Sequence, residues 1–241
     1  MWIDSNKLQK FIEKSTLNAS ITETVINVTD NVIYSTIRTA DNVGATVTHL
    51  KNVKGLTPMI LPIKDTGMLL KSLKLFTGQV EMECNNNVLS IYDKTRQVDI
   101  VLAEESFITN VLPNEFVEKI KAKCTKETFI RLPKKPFDDI VKDMSVVKSS
   151  TIKIVMDNKA VQFITGETSF DSIKETFYLS AVDITEATSQ FGQTLVDVIS
   201  VMHDSVEVAM QNENTIAIRE TTQDFDVTYI VAPIIDNPEE E

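Results

Sequence analysis

Pro133-Lys134-Lys135-Pro136-Phe137-Asp138-Asp139-Ile140-Val141-Lys142-Asp143-Met144 reads as the opening of a helix. Phe137, Ile140, Val141 and Met144 recur at i, i+3, i+4 and i+7, so they share one helical face. Pro136 suits a first turn, where its missing N–H would have no partner in any case. A strand-rich run, Thr151–Ile164, follows and turns at Asp157-Asn158. The start of the chain has the same order. Leu8, Phe11, Ile12 and Ser15 take the places of Phe137, Ile140, Val141 and Met144, and a strand-rich run turns at Asp30-Asn31.

The correspondence continues along both halves. Thr48-His49-Leu50 answers Phe177-Tyr178-Leu179, and a second helix with Leu69, Leu70, Leu73 and Phe76 answers Leu195, Val196, Ile199 and Met202. Val80-Glu81-Met82 then answers Val206-Glu207-Val208, and Val98-Asp99-Ile100 answers Phe225-Asp226-Val227. The spacing between counterparts stays within 126 to 129 residues. Such self-similarity marks a duplicated structural unit. The fold class expected is α+β, with two copies of helix, strands, helix, strands. An N-terminal domain is expected over 1–104 and a C-terminal domain over 128–236. The stretch 105–127, with Pro113 and a short helix at Glu115–Lys123, has no counterpart and reads as a connector. An acidic tail, 237–241, closes the chain.

With 241 residues and a hydrophobic fraction of 42%, two packed cores are within reach. No apolar run reaches the ~18–20 residues of a membrane span, and Met1-Trp2-Ile3-Asp4-Ser5 lacks the basic-then-apolar form of a signal peptide. Cys84 and Cys124 alone make neither a disulfide framework nor a zinc knuckle, which fits a reducing compartment. Six glycines never fall in a phosphate-binding pattern. His49 and His203 stand at strand and helix ends, where structural or surface roles are expected. Adjacent acids such as Asp138-Asp139 and Glu104-Glu105 diverge in space. No catalytic residue, metal ligand or cofactor is expected.

Charge is distributed unevenly. The chain carries a net −11, yet the four helical stretches 6–17, 64–76, 134–148 and 193–203 total +4 against −15 elsewhere. Lys7, Lys10 and Lys14 share an arc of the first helix, and Lys64, Lys71 and Lys74 share one on the second. Lys135, Lys142 and Lys148 lie on the third. Lysines at helical spacing meet phosphates without reading bases, so these nine are the candidate DNA-facing residues. One helix breaks the pattern: Asp197 and Ser200 stand where the first half has Lys71 and Lys74.

Taken together, the duplicated order, the lysine-bearing helices and the ending Tyr229-Ile230-Val231-Ala232-Pro233-Ile234-Ile235 before an acidic tail resemble the DNA sliding clamps of the proliferating cell nuclear antigen type. Phe137–Met144 and Val98–Leu102 are similar to the family's helix opening the second domain and to the strand before its connector. The resemblance implies a homotrimeric ring with sheets outside and helices lining the hole. It implies a processivity factor around duplex DNA, inside the cell with replicating DNA, whose partners are a DNA polymerase, a clamp loader and further copies of itself. It also implies a peptide-docking site at Val43, Ala45, Val111, Leu112, Ala232, Pro233 and Ile234. A subunit interface is expected at Val98, Ile100, Leu102, Phe177 and Leu179, on strands Gln97–Ala103 and Glu175–Ala181. Two other readings stay open: a monomeric DNA-bound factor or heteromeric clamp subunit, and a non-DNA, β-rich viral assembly protein.

Overall fold

The computed structural model describes residues 2–113, 115–119, 128–166, 171–180, 184, 186–210 and 215–234. The connector beyond residue 119, with Cys124, and the tail 237–241 lie outside them. The chain divides into two units, Met1–Lys121 with Glu220–Thr228, and Ala122–Arg219 with Tyr229–Glu241.

The first unit holds β1 (Trp2–Asp4), α1 (Ser5–Ser15), β2 (Thr24–Val28), β3 (Ile33–Arg38), β4 (Gly44–Leu50), β5 (Met59–Ile63), α2 (Thr66–Leu73), β6 (Gln79–Asn85), β7 (Val88–Tyr92) and β8 (Gln97–Val101). One sheet runs β1-β6-β7-β8 and another β5-β2-β3-β4. Phe225–Thr228, the first part of β16 (Phe225–Val231), belongs to this unit and neighbours β4. The main-chain bond from Lys51 N–H to Asp224 O, 2.7 Å long, ties the turn before that strand to the end of β4. Both helices start as their sequences dictate. Asp4 accepts from the N–H groups of Asn6 and Lys7, and Asp65 from that of Met68, filling N-cap roles.

The second unit holds β9 (Ile130–Pro133), α3 (Lys135–Val147), β10 (Ile152–Met156), β11 (Ala160–Gly166), β12 (Ser172–Tyr178), β13 (Ala187–Phe191), α4 (Gln193–Val201), β14 (Ser205–Met210) and β15 (Ile216–Thr221). Its first sheet, β12-β11-β10-β13, reproduces β4-β3-β2-β5 strand for strand. Its second, with β9, β14 and β15, reproduces the order of β1, β6 and β7. α1 packs on β3 and β4, and α3 packs on β11 and β12. The same helical face is buried in each: Leu8, Phe11 and Ile12 in one, Phe137, Ile140 and Met144 in the other. The Phe137 ring meets Phe163 edge-on, with centroids 4.7 Å apart.

One landmark of the repeat shifts. Glu81 pairs with Tyr92 and Glu207 with Arg219, so Tyr92 and Arg219 are counterparts. After Tyr92 the chain turns at once, with Asp93 N–H bonded to Arg96 O. After Arg219 it continues through Glu220 and Thr221 before Thr222 N–H bonds Phe225 O. The β15–β16 hairpin is therefore two residues longer in each strand. Val98 does not answer Phe225, and the extra length carries the turn Thr222–Phe225 beyond the level at which the β7–β8 hairpin turns.

The connector begins as a stitched strand rather than a free loop. β2 and β3 pair only at Asn27·Tyr34 and Val28·Ile33, and residues 109–112 fill the opening beyond. Arg38 N–H donates to Asn110 O at 2.9 Å, Leu112 N–H to Thr36 O at 3.0 Å, and the Asn110 side-chain N–H to Glu23 O at 2.8 Å. Ile108, Leu112 and Val117 are buried.

Two measurements check this fold. Phe137 is 1% exposed, so Phe137→Ala should cost about 3–5 kcal/mol in urea unfolding; a loss under about 1 kcal/mol would mean the helix does not seat on its sheet. The turn aspartates Asp93 and Asp157 are held below the usual carboxylate range, chiefly by main-chain N–H groups of Thr95 and of Lys159 and Ala160. Their contribution is present above the unfolded value of about 3.9 and disappears as pH falls through the depressed folded value. Replacing both with Asn should narrow the gap between melting midpoints at neutral and acid pH.

Candidate nucleic-acid interface and partner surfaces

The nine lysines separate into three groups. On α1, Lys10 is exposed, but its neighbours one turn away are engaged. Lys7 Nζ lies 2.6 Å from Asp224 Oδ1. Lys14 forms an ion pair with Glu220 in which the two side chains are 11% and 1% exposed, and its ammonium stands 6.0 Å from the Phe225 ring centroid. Lys14 therefore departs from the expectation of a phosphate-facing residue. A cation this buried is held by its carboxylate, since separating the two strands one charge in a low dielectric. The responsible partner is 206 positions away in sequence, and no local pattern announces it.

On and beside α2, Lys64, Lys71 and Lys74 are all exposed, and none forms an ion pair among the described residues. Met68 and Leu75, in the same stretch, are 45% and 51% exposed. α1 and α2 pack together, so Lys10 and this group belong to one helical layer of the first unit.

On α3 the charges are largely shared. Lys135 pairs with Asp139, Lys142 Nζ lies 3.4 Å from the same carboxylate, and Lys134 Nζ lies 3.6 Å from Asp138. The Lys135 hydrogen bond raises that ammonium's pKa and is the main cause that lowers Asp139's. Lys148 is exposed in the left-handed region (φ 54°) and ends the helix, its N–H bonded to Met144 O. α4 presents Asp197, which accepts from Gln193, and Ser200. Of the nine lysines, Lys10, Lys64, Lys71, Lys74 and Lys148 are those in no ion pair among the described residues.

The residues expected to dock a peptide fall in both units. In the first, Val43 is half-buried beside the β3–β4 turn, Ala45 is buried on β4, and Val111 is half-buried where it bridges to Ile37. Leu112 is 5% exposed. It seals the sheet, because its own N–H and the carbonyl of Asn110 are bonded to β3. In the second unit Ala232 and Pro233 are half-buried and Ile234 is 42% exposed. Ile234 N–H donates to Gln190 O at 2.8 Å, which lays this segment along β13.

The interface strands lie where expected. β8 ends one sheet and β12 another. Side chains differ from the expectation by strand parity. Ile100 and Leu102 point into the first unit's core and are buried, with Val98 on the same side of the strand. The outward set on β8 is Gln97, Asp99 and Val101, and Val101 is 76% exposed. On β12, Phe177 shares the inward side with Val161, its partner across the ladder, and Leu179 is half-buried just past the strand. Tyr178 faces out at 78% exposure. Period two along each strand could have singled out Val101 and Tyr178.

No family model matches the sequence, and no curated protein matches it either. Solved structures do. The proliferating cellular nuclear antigen of Entamoeba histolytica superposes with a TM-score of 0.76 at 15% identity, covering 97% of each chain. PCNA of A. fulgidus, bound to the C-terminal region of FEN-1, gives 0.77 at 15% identity over 98% of each chain. The DNA polymerase sliding clamp of Pseudomonas aeruginosa gives 0.74 at 13% identity, over 98% of this chain and 66% of that one. The chain has the sliding-clamp fold.

The ion pair on α1 is directly testable. Lys14→Ala should cost about 3–5 kcal/mol by leaving Glu220 buried without its cation, whereas Lys14→Met with Glu220→Leu should fall near wild type. A cheap single substitution would return Lys14 to the solvent-facing set.

Proposed function

We propose that the chain is a sliding clamp: a homotrimeric, non-enzymatic processivity factor that encircles duplex DNA and tethers a DNA polymerase. The observation that carries this reading is the state of the two repeat edges. β4 has the first part of β16 beside it, while among the described residues their counterparts β12 and β8 have no strand on their outer edge. A second copy supplying β8 to β12 gives each edge the kind of neighbour its counterpart already has. Such a contact is head-to-tail, and closing it produces a ring. Val101 and Tyr178, exposed on those two strands, are the apolar surface such a contact would cover.

The lysines support DNA as the occupant. Lys10, Lys64, Lys71 and Lys74 form an uncommitted basic layer on an otherwise acidic protein, suited to sequence-independent attraction of phosphates. Lys148 adds to it from the second unit; Lys135 and Lys142 add less, their charge being shared with Asp139. Partner peptides from a polymerase or other replication protein are expected on the half-buried Val43 and Val111 and on Ala232, Pro233 and Ile234. A clamp loader and an intracellular setting with replicating DNA follow from the same reading.

Retention on circular DNA tests the function. Wild type loaded on nicked circles should stay bound through high salt and be lost when the circle is cut. Loss from circles and linear DNA alike would leave a monomeric factor as the better reading. Replacing Lys10, Lys64, Lys71 and Lys74 with Ala should leave the assembled mass unchanged and reduce the log–log salt slope of binding by up to about 0.9 per lost phosphate contact. Ile234→Glu should abolish polymerase stimulation with the melting temperature preserved; full stimulation would place the partner elsewhere.

A further inference from the structure

We infer that, at the junction between copies, the turn cations Lys94 and Arg96 of one copy pair with Asp143 of the next, a charge arrangement opposite in sign to the one built into the first unit. This rests on the ring reading. Within the first unit, α1 carries the cations Lys7 and Lys14, and the β15–β16 hairpin carries the anions Asp224 and Glu220. The repeat gives each partner a counterpart, and their charges are exchanged.

The helix side follows from matched main-chain bonds. Ser5 N–H bonds Gly78 O, as Lys134 N–H bonds Asp204 O, which sets α1 and α3 129 positions apart. Lys14 then corresponds to Asp143 and Lys7 to Pro136. Asp143 is half-buried and in no ion pair among the described residues. Its neighbour Asp139 is taken by Lys135 and Lys142. The charges nearby on β12 are Lys174 and Glu175.

The hairpin side follows from the difference in length. Counting from the matched pairs Glu81·Tyr92 and Glu207·Arg219, the short hairpin begins to turn at Asp93, level with Glu220. Its tip therefore arrives at the height where Glu220 meets Lys14. Asp93 is turned inward on its own loop, accepting from Thr95 and Arg96 N–H at 2.7 and 2.8 Å. Lys94 and Arg96 remain as the outward charges, both exposed; Arg96 uses one Nη on Leu75 O. The tip of a second copy thus presents two cations to a half-buried carboxylate that has none of its own.

The arrangement also discriminates. A β15–β16 tip, with Glu220 and Asp224, would meet Asp143 with like charge, so the junction selects the β7–β8 hairpin. Being more exposed than the Lys14–Glu220 pair, it is the more sensitive to salt.

Sedimentation equilibrium of the full chain provides the test, at about 50 mM and about 500 mM salt, where screening lengths differ severalfold. Asp143→Lys should raise the concentration of half-assembly by about tenfold or more, and Lys94→Glu with Arg96→Glu should do the same. Combining all three should recover most of the loss, and Asp143→Asn should give a smaller loss that high salt erases. Melting temperatures of each variant report on fold separately. A combined variant as weak as the sum of its parts, with the fold intact, overturns the pairing while leaving the ring. A wild type that is monomeric at every concentration removes the ring and this pairing with it.

Discussion

A strand at the edge of a sheet exposes a row of N–H and C=O groups that need partners. This chain manages most of its edges. β1 is three residues long, β9 is four and ends in Pro133, and β5 carries Pro62, whose carbonyl accepts from Ala103 N–H at 3.0 Å. β13 is closed by Ile234 N–H on Gln190 O. β8 and β12 receive no such treatment. Each instead places one large apolar side chain, Val101 or Tyr178, in water. Both bare edges are counterparts of strands that have neighbours, and the proposed assembly is the one that completes them. On that proposal, DNA enclosure and processivity follow from the same constraint.

The electrostatics add a second layer. An acidic protein keeps cations available to DNA only where no carboxylate captures them first. α1 uses Lys7 and Lys14 to hold Asp224 and Glu220, and α3 neutralises itself through Asp138 and Asp139. α2 has no acid beyond its cap, Asp65, which is turned toward Met68 N–H. The same residue type, at the same helical spacing, thus does different work on different helices. The deciding factor is what the fold brings opposite each lysine. On the proposed reading, attraction for phosphate is therefore strongest over the first unit's helices, and the duplicated ancestry does not make the two units equal in this respect.

Much of the architecture was legible because it rests on local rules. Phe137, Ile140 and Met144 follow the helical period and are buried; Asp157-Asn158 sit in a turn, with Asp157 N–H bonded to Ala160 O. The duplication extended those local readings across the whole chain. What escaped was set by length and distance. Two additional residue pairs in the β15–β16 hairpin leave the apolar alternation unchanged, since the shift is even, so pattern alone could not detect them. The Lys14–Glu220 pair joins segments 206 positions apart. Leu112 looked like an exposed connector residue because its sequence is loop-like, and only the gap between β2 and β3 explains its burial.

Duplication followed by divergence gives such an assembly two kinds of junction from one design. Where α1 meets the long hairpin, the ion pair is buried and the strands belong to one molecule, so opening would break a buried Lys14–Glu220 pair together with the packing around it. Where α3 of one copy meets the short hairpin of another, the hairpin stops two residues sooner and no charge is carried as deeply. Both junctions can share the same strand pairing and still differ in how readily they separate. A ring that must admit a DNA strand needs one junction that yields before the others, without loss of fold in either unit. On the proposed ring, hairpin length and the sign of one helical residue make the junction between copies the one that yields first.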